Sequence, residues 1–308
     1  MKQFVHRMVR FGGLLLAVWA LGLLSSLVNP HVESTLVAKQ SDWGYVNQKT
    51  LEWREAKLSP DVMFFGSSTC YSGIDPHALE SHGLKGFSFC SNAQGPQHST
   101  VLLEAALKDH VPAMVVLDLY PRLCTAPNMS AEPLRDWAVN GNLWTAPWRD
   151  AMLTMLRNTQ DPFAALQMLY FGFRNTWTPS GDRAKPDPHG AYSGLGFVLR
   201  SFPALKAMPA TTPSSGRWSS TAQEAVDAAR KLCEQHGVSL VLLTPPQLVE
   251  QQLDGHPSLS GMAWIDGNAW YGAKTPSFYY DDHHLVAEGA ASYSRWLAAE
   301  LNLQFQLP

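Results

Sequence analysis

The sequence predicts an α/β domain on a parallel sheet, behind one N-terminal membrane-spanning helix. Three observations predict it. Short strands and helices alternate from about residue 61 and again from about residue 220. The strand candidates are almost wholly apolar, as parallel strands are when helices cover both faces. An uncharged run of 18 residues, Phe11 to Val28, lies near the N-terminus.

That run comes first in the chain. At about 1.5 Å per residue it reaches roughly 27 Å, close to the hydrocarbon thickness of a bilayer. Lys2, His6, Arg7 and Arg10 precede it. A positive flank stays on the cytoplasmic side, so the rest of the chain is expected outside. A cleaved signal peptide is the competing reading. Against it, the apolar run is long and no Ala-x-Ala site follows Leu27. Residues 1–30 are therefore read as an anchor and residues 31–60 as a juxtamembrane segment with a short helix near Asn47 to Lys57. Residues 61–308 are read as the main domain, with the insertion at about 125–215 within it.

Within that domain, Asp61 to Phe65 reads as a strand stopped by Gly66. Asp75-Pro76 opens a short helix, Asp as N-cap and Pro in the first turn, and Gly83 ends it. Gly86 to Cys90 is a second strand. Gln97 to His110 is a helix with Val101, Leu102, Ala105 and Ala106 on one face. Ala113 to Leu119 is a third strand. From about residue 125 to 215 the alternation breaks into a stretch rich in Trp, Pro, Gly and Asn. It reads as a helical insertion, with helices at Trp148 to Arg157 and Pro162 to Phe173 and a loop over Thr178 to Tyr192. Ser220 to His236 is then a helix, Val238 to Leu243 a strand, and Ala287 to Leu301 the last helix. Strand–helix–strand units imply parallel pairing with right-handed crossovers.

Composition narrows the function. The chain of 308 residues is 45% hydrophobic with a net charge of −3. It has no basic run after residue 10, so nucleic-acid binding has no electrostatic support. Eleven tryptophans suit core filling and membrane-interface anchoring, or an aromatic groove for a sugar or lipid. Of the four cysteines none forms a CxxC pair, which argues against structural zinc. Outside the cytoplasm a disulfide is permitted. Cys70, Cys90 and Cys124 each follow a strand, and Cys90–Cys124 is the expected pair, with free buried thiols as the alternative.

Ligands of such sheets sit at the carboxyl ends of the strands. Two loops there carry candidate chemistry. Phe64-Phe65-Gly66-Ser67-Ser68-Thr69 puts hydroxyls on a tight turn after the first strand, a place for a nucleophile but also for an ordinary helix cap. Tyr280-Asp281-Asp282-His283-His284-Leu285 puts a carboxylate three residues before an imidazole. That spacing lets the acid hold one ring nitrogen while the other faces a substrate. The same loop, with two Asp and two His, is also a possible divalent-metal site.

Taken together, the two loops resemble the SGNH/GDSL hydrolase superfamily. The resemblance rests on Gly66-Ser67-Ser68 after an apolar strand and on Asp281-x-x-His284-Leu285-x-x-x-Gly289-Ala290 before the terminal helix. It covers Val62 to Cys124 and Ser220 onward, and not the insertion. It implies a three-layer α/β/α domain with flavodoxin-like strand order. It also implies Ser68 as nucleophile, His284 as base and Asp281 as its orienting acid, with no metal and no organic cofactor. The oxyanion hole it implies comprises the Ser68 N–H and Gly95, with Asn92 as a replacement donor. A replacement is needed because the family's Gly-x-Asn-Asp block is absent and Leu117-Asp118-Leu119-Tyr120-Pro121-Arg122 stands in its place. Asp118, Tyr120 and Arg122 at that strand exit are substrate-binding candidates. An α/β-hydrolase is disfavoured, because Cys70 occupies the second glycine of the Gly-x-Ser-x-Gly elbow.

The layout is similar to the membrane-anchored envelope acyltransferases of that superfamily, the teichoic-acid D-alanine transfer and alginate O-acetyltransferase types. It implies acyl transfer to an envelope polymer, a polytopic membrane-bound O-acyltransferase as partner, and contact with the bilayer through residues 11–28. A lysophospholipase-type esterase and a non-catalytic assembly subunit with a relic triad are the alternatives.

Overall fold

A computed structural model describes residues 2–28, 43–141, 146–159, 189–210, 212–254 and 262–305. The first helix, α1 (Lys2–Val28), carries an apolar window, Lys2–Leu21, none of which is buried. By length and composition it suits a membrane span, and a signal sequence has the same character.

The sheet has five parallel strands. They are β1 (Val62–Phe65), β2 (Gly86–Ser88), β3 (Met114–Asp118), β7 (Ser239–Thr244) and β9 (Ala263–Asp266), in the order β2-β1-β3-β7-β9. The expected α/β class and flavodoxin-like order are present. Alternate strand residues point to opposite faces, and both faces are covered. Met63, Phe65, Val115, Leu117 and Leu242 enter one apolar layer. Val62, Phe64, Met114, Val116, Val241 and Leu243 enter the other.

The first layer packs against α2 (Val46–Ala56), α4 (Pro96–Asp109), α7 (Trp148–Asn158) and α8 (Ser220–His236). Rings of Trp53, Phe87, Phe89, Trp137 and Trp148 fill it, with Phe89 touching three of the others within 5.4 Å. These tryptophans are core. The second layer packs against α3 (Ser68–Gly73), a 3₁₀ turn at Pro76–His82, and α9 (Ala287–Phe305). Among the described residues the shorter elements include α5 (Pro121–Cys124), α6 (Ala131–Arg135), a hairpin of β4 (Gly190–Gly194) and β5 (Phe197–Arg200), and a parallel pair of β6 (Ser214–Arg217) and β8 (Gln251–Asp254).

Four expectations need correction or bounding. Of the segment read as juxtamembrane, residues 31–42 lie outside the described residues, and α2 at its end buries Val46, Lys49 and Trp53. The end of the supposed Thr178–Tyr192 loop is strand β4, whose alternation of half-buried and exposed residues is too polar to read as a core strand. The helix expected at 162–173 lies outside the described residues. Finally, the disulfide is Cys70–Cys90, with Cα atoms 6.0 Å apart, and Cys124 is a free, buried thiol. Parity explains the pairing. Cys70 and Cys90 lie in the layer under α9, whereas Cys124 lies in the layer on the opposite face.

Candidate active site

The order β2-β1-β3 reverses direction at β1, and open α/β sheets bind ligands at that switch point. The turn after β1 is forced there by sterics. A Cβ on Gly66 would lie 2.4 Å from the Asp118 Cβ at the end of β3, closer than atoms pack. Only glycine lets the chain turn this close to its neighbour.

The two serines that follow part company. Ser67 is 1% exposed and its hydroxyl lies 2.8 Å from that of Thr69. Thr69 donates in turn to Asp118 Oδ2 at 2.7 Å, and the Ser67 N–H reaches the same oxygen at 3.4 Å. Ser68, half-buried, opens α3 and turns its Oγ to His284 Nε2 at 2.8 Å. Its backbone N–H belongs to the first helical turn, which has no intrahelical acceptor.

The loop before α9 is organised by Asp281. One carboxylate oxygen accepts the His283 and His284 backbone N–H groups at 2.9 and 2.7 Å, and the other holds His284 Nδ1 at 2.7 Å. The three-residue spacing thus closes a turn and orients a ring with one side chain. The Tyr280 and His284 rings stack at 5.3 Å and 3°. His283 lies between His284, at 3.9 Å, and Tyr120, at 4.8 Å. Gly289, in the recognised motif, has a packing role: a Cβ there would come 2.3 Å from the Phe278 carbonyl oxygen.

Burial holds the His284 imidazole below its ordinary range, and the Asp281 hydrogen bond only partly offsets this. For Asp281, burial pushes upward, but the His284 hydrogen bond and the nearby imidazole charges outweigh it and keep the carboxyl well below the usual range. The arrangement is a neutral base held by an ionised acid, with its second nitrogen on a hydroxyl. It can take a proton from Ser68. Asp281, His283 and His284 also offer ligand atoms within 4.8 Å of one another, a donor set that suits zinc, although both His284 nitrogens here face Asp281 and Ser68.

The other expected site residues fall differently. Asn92 directs its amide nitrogen to Glu132 at 2.7 Å and its backbone N–H to Asp136 at 3.2 Å, while its carbonyl accepts from Tyr71. Both donors of Asn92, expected as an oxyanion donor, are thus engaged by Glu132 and Asp136. Gly95 caps α4 and lies against Leu123. Asp118, 3% exposed, lies beneath the Gly66–Thr69 turn and not on an open face. Tyr120 is buried with its ring on His283. Arg122 pairs with Asp282 at 2.7 Å, clamping the β3 exit to the His284 loop.

Sequence reasoning missed a polar group behind Ser68. Tyr71, one turn after Ser68, accepts from Arg200 at 2.8 Å, and buried Lys49 donates to the Cys90 carbonyl. Tyr71 was reachable from its i+3 spacing to Ser68. Arg200 gave no signal, since its strand lies far along the chain inside the insertion.

Asp118 gives a stability prediction. Burial pushes its carboxyl up from 3.8 to about 7, against the opposing Thr69 and Ser67 hydrogen bonds. With the folded value raised, the contribution of this group to stability is complete below about pH 4 and is lost as pH rises through about 7. Asp118→Asn removes the buried charge and keeps an acceptor oxygen. Its Tm relative to the natural protein is expected to improve between pH 5 and pH 8. Thermal melts at both pH values check this, and a difference that stays flat or worsens contradicts it.

No protein-family model and no curated protein matches the chain. Among solved structures it is similar to a Bacteroides fragilis protein provisionally described as an acylhydrolase. The identity is 11%, covering 86% of this chain and 99% of that one, with a TM-score of 0.40. The match is too distant to assign an activity to this chain.

Proposed function

We infer that the protein is a serine esterase or O-acyltransferase of SGNH type, working through an acyl-serine on Ser68. The observation that carries this reading is the unbroken chain from Ser68 Oγ through His284 to Asp281, with links of 2.8 and 2.7 Å at the sheet's switch point. His284 takes the Ser68 proton as Oγ bonds to the acyl carbonyl carbon. The leaving oxygen or sulfur departs with that proton. An acceptor hydroxyl then gives its proton to His284 and attacks the acyl-serine, and Ser68 regains the proton as it leaves. The Ser68 N–H, at the start of α3, and the Gly95 N–H are the proposed oxyanion donors.

With α1 as an uncleaved anchor and Lys2, Arg7 and Arg10 inside, the domain faces the outside of the cytoplasmic membrane. There the acceptor is an envelope polysaccharide, and the acyl donor is delivered by a polytopic membrane-bound O-acyltransferase. Envelope acyl content tests this. A deletion strain is expected to lose polysaccharide O-acyl groups, restored by the natural gene and not by Ser68→Ala. An unaltered polymer with altered lysophospholipid would favour the lipase reading instead.

A further inference from the structure

A cleft of about 400 Å³ opens at the carboxyl ends of β3, β7 and β9. This is the edge of the sheet where such folds bind ligands, and the volume suits a small ligand such as one or two sugar rings. Its wall is tied to the candidate active site. Tyr120, between lining residues Leu119 and Pro121, stacks on His283. The Leu248 and Val249 N–H groups, just before lining residue Glu250, both donate to the Asp282 carbonyl.

The lining chemistry is uniform in sign. Carboxylates come from Glu250, Asp254 and Asp266, and amides from Gln251, Gln252 and Asn268. Among the described residues that line it there is no Lys or Arg; Glu250 itself is paired with Lys274 at 3.7 Å. The half-buried Trp264 adds an indole wall. The same Gln251–Leu253 edge also lines a smaller depression of about 130 Å³, where the guanidinium of Arg122 is held by Asp282 at 2.7 Å. Carboxylates and amides suit hydroxyl and amino donors, and an indole packs on the C–H face of a sugar ring. The same carboxylates repel a uronate or phosphate.

We propose that this cleft is the acceptor subsite, and that it takes a saccharide lacking acidic groups. The proposal rests on the acyl-transfer reading and narrows it, setting uronate and phosphate polymers aside as acceptors.

The test is calorimetric titration of the full chain in detergent micelles with cellohexaose, a glucosamine hexamer and a mannuronate hexamer. The first two are expected to bind and the third is not. Gln252→Arg, a change at an exposed position, is expected to weaken glucosamine-hexamer binding at least tenfold. Trp264→Ala is expected to weaken both non-acidic hexamers by a similar factor, with the fold checked by its melt. The subsite is overturned if neither non-acidic hexamer binds, if mannuronate binds as tightly, or if Gln252→Arg binds glucosamine undiminished. Fluorophosphonate labelling of Ser68 in the natural protein separates the two ideas. Labelled protein that binds no saccharide sinks the subsite alone, and unlabelled protein sinks the acyl-transfer reading.

Discussion

Ser68→Ala is expected to lower turnover of p-nitrophenyl acetate by about 10⁴-fold or more, the scale seen when a serine nucleophile is removed from a working triad. The reason is local. The Ser68 hydroxyl is the one on the His284 ring, whereas Ser67 lies inward on Thr69. Ser67 therefore cannot substitute without rebuilding the turn that Gly66 makes against Asp118. Secondary structure and Tm should hold, because Ser68 contributes little to the core. Steady-state kinetics with a parallel melt separates the two quantities. A rate within tenfold of the natural protein would place the nucleophile elsewhere.

The second large effect is expected from Asp281→Asn, at about 10⁴-fold in kcat with little change in KM, by analogy with triad acids generally. Asparagine can still accept the His283 and His284 N–H groups, so the turn survives. The bond to His284 Nδ1 does not survive in kind. An amide nitrogen there would donate, forcing the ring into the tautomer whose Nε2 already carries a proton and cannot take one from Ser68. Losing the negative charge also leaves the protonated ring unstabilised in a buried site. Pre-steady-state kinetics should show loss of the acylation burst. A drop in binding with turnover preserved would mean that Asp281 only shapes the loop.

How much of this was legible in the sequence depends on what each residue packs against. The central strands were readable because burial on both faces leaves an unbroken apolar run such as Val62–Phe65. Ser220–His236 was readable to the residue, with Ser219 accepting from the Ala222 N–H and Gly237 at φ 67° closing it. The strands after Thr244 were not, since β8 is mixed and β9 is half-exposed at several positions, so neither carries a clean period. In the site, the i to i+3 relation of Asp281 and His284 is local and survives in sequence. The partners of Asn92 and Arg122 are long-range, Glu132 and Asp282, and no spacing announces them. Cysteine pairing failed because closeness of strand ends ignores which face each side chain occupies. Cys70 and Cys90 share one layer and Cys124 belongs to the other.

The most direct measurement is peptide mapping by mass spectrometry after a fluorophosphonate is added to the full chain in micelles. A reactive Ser68 oxygen predicts one adduct, on the peptide bearing Ser68, that disappears in His284→Ala. Folded protein that stays unmodified at Ser68, or carries the adduct on another residue, would contradict it.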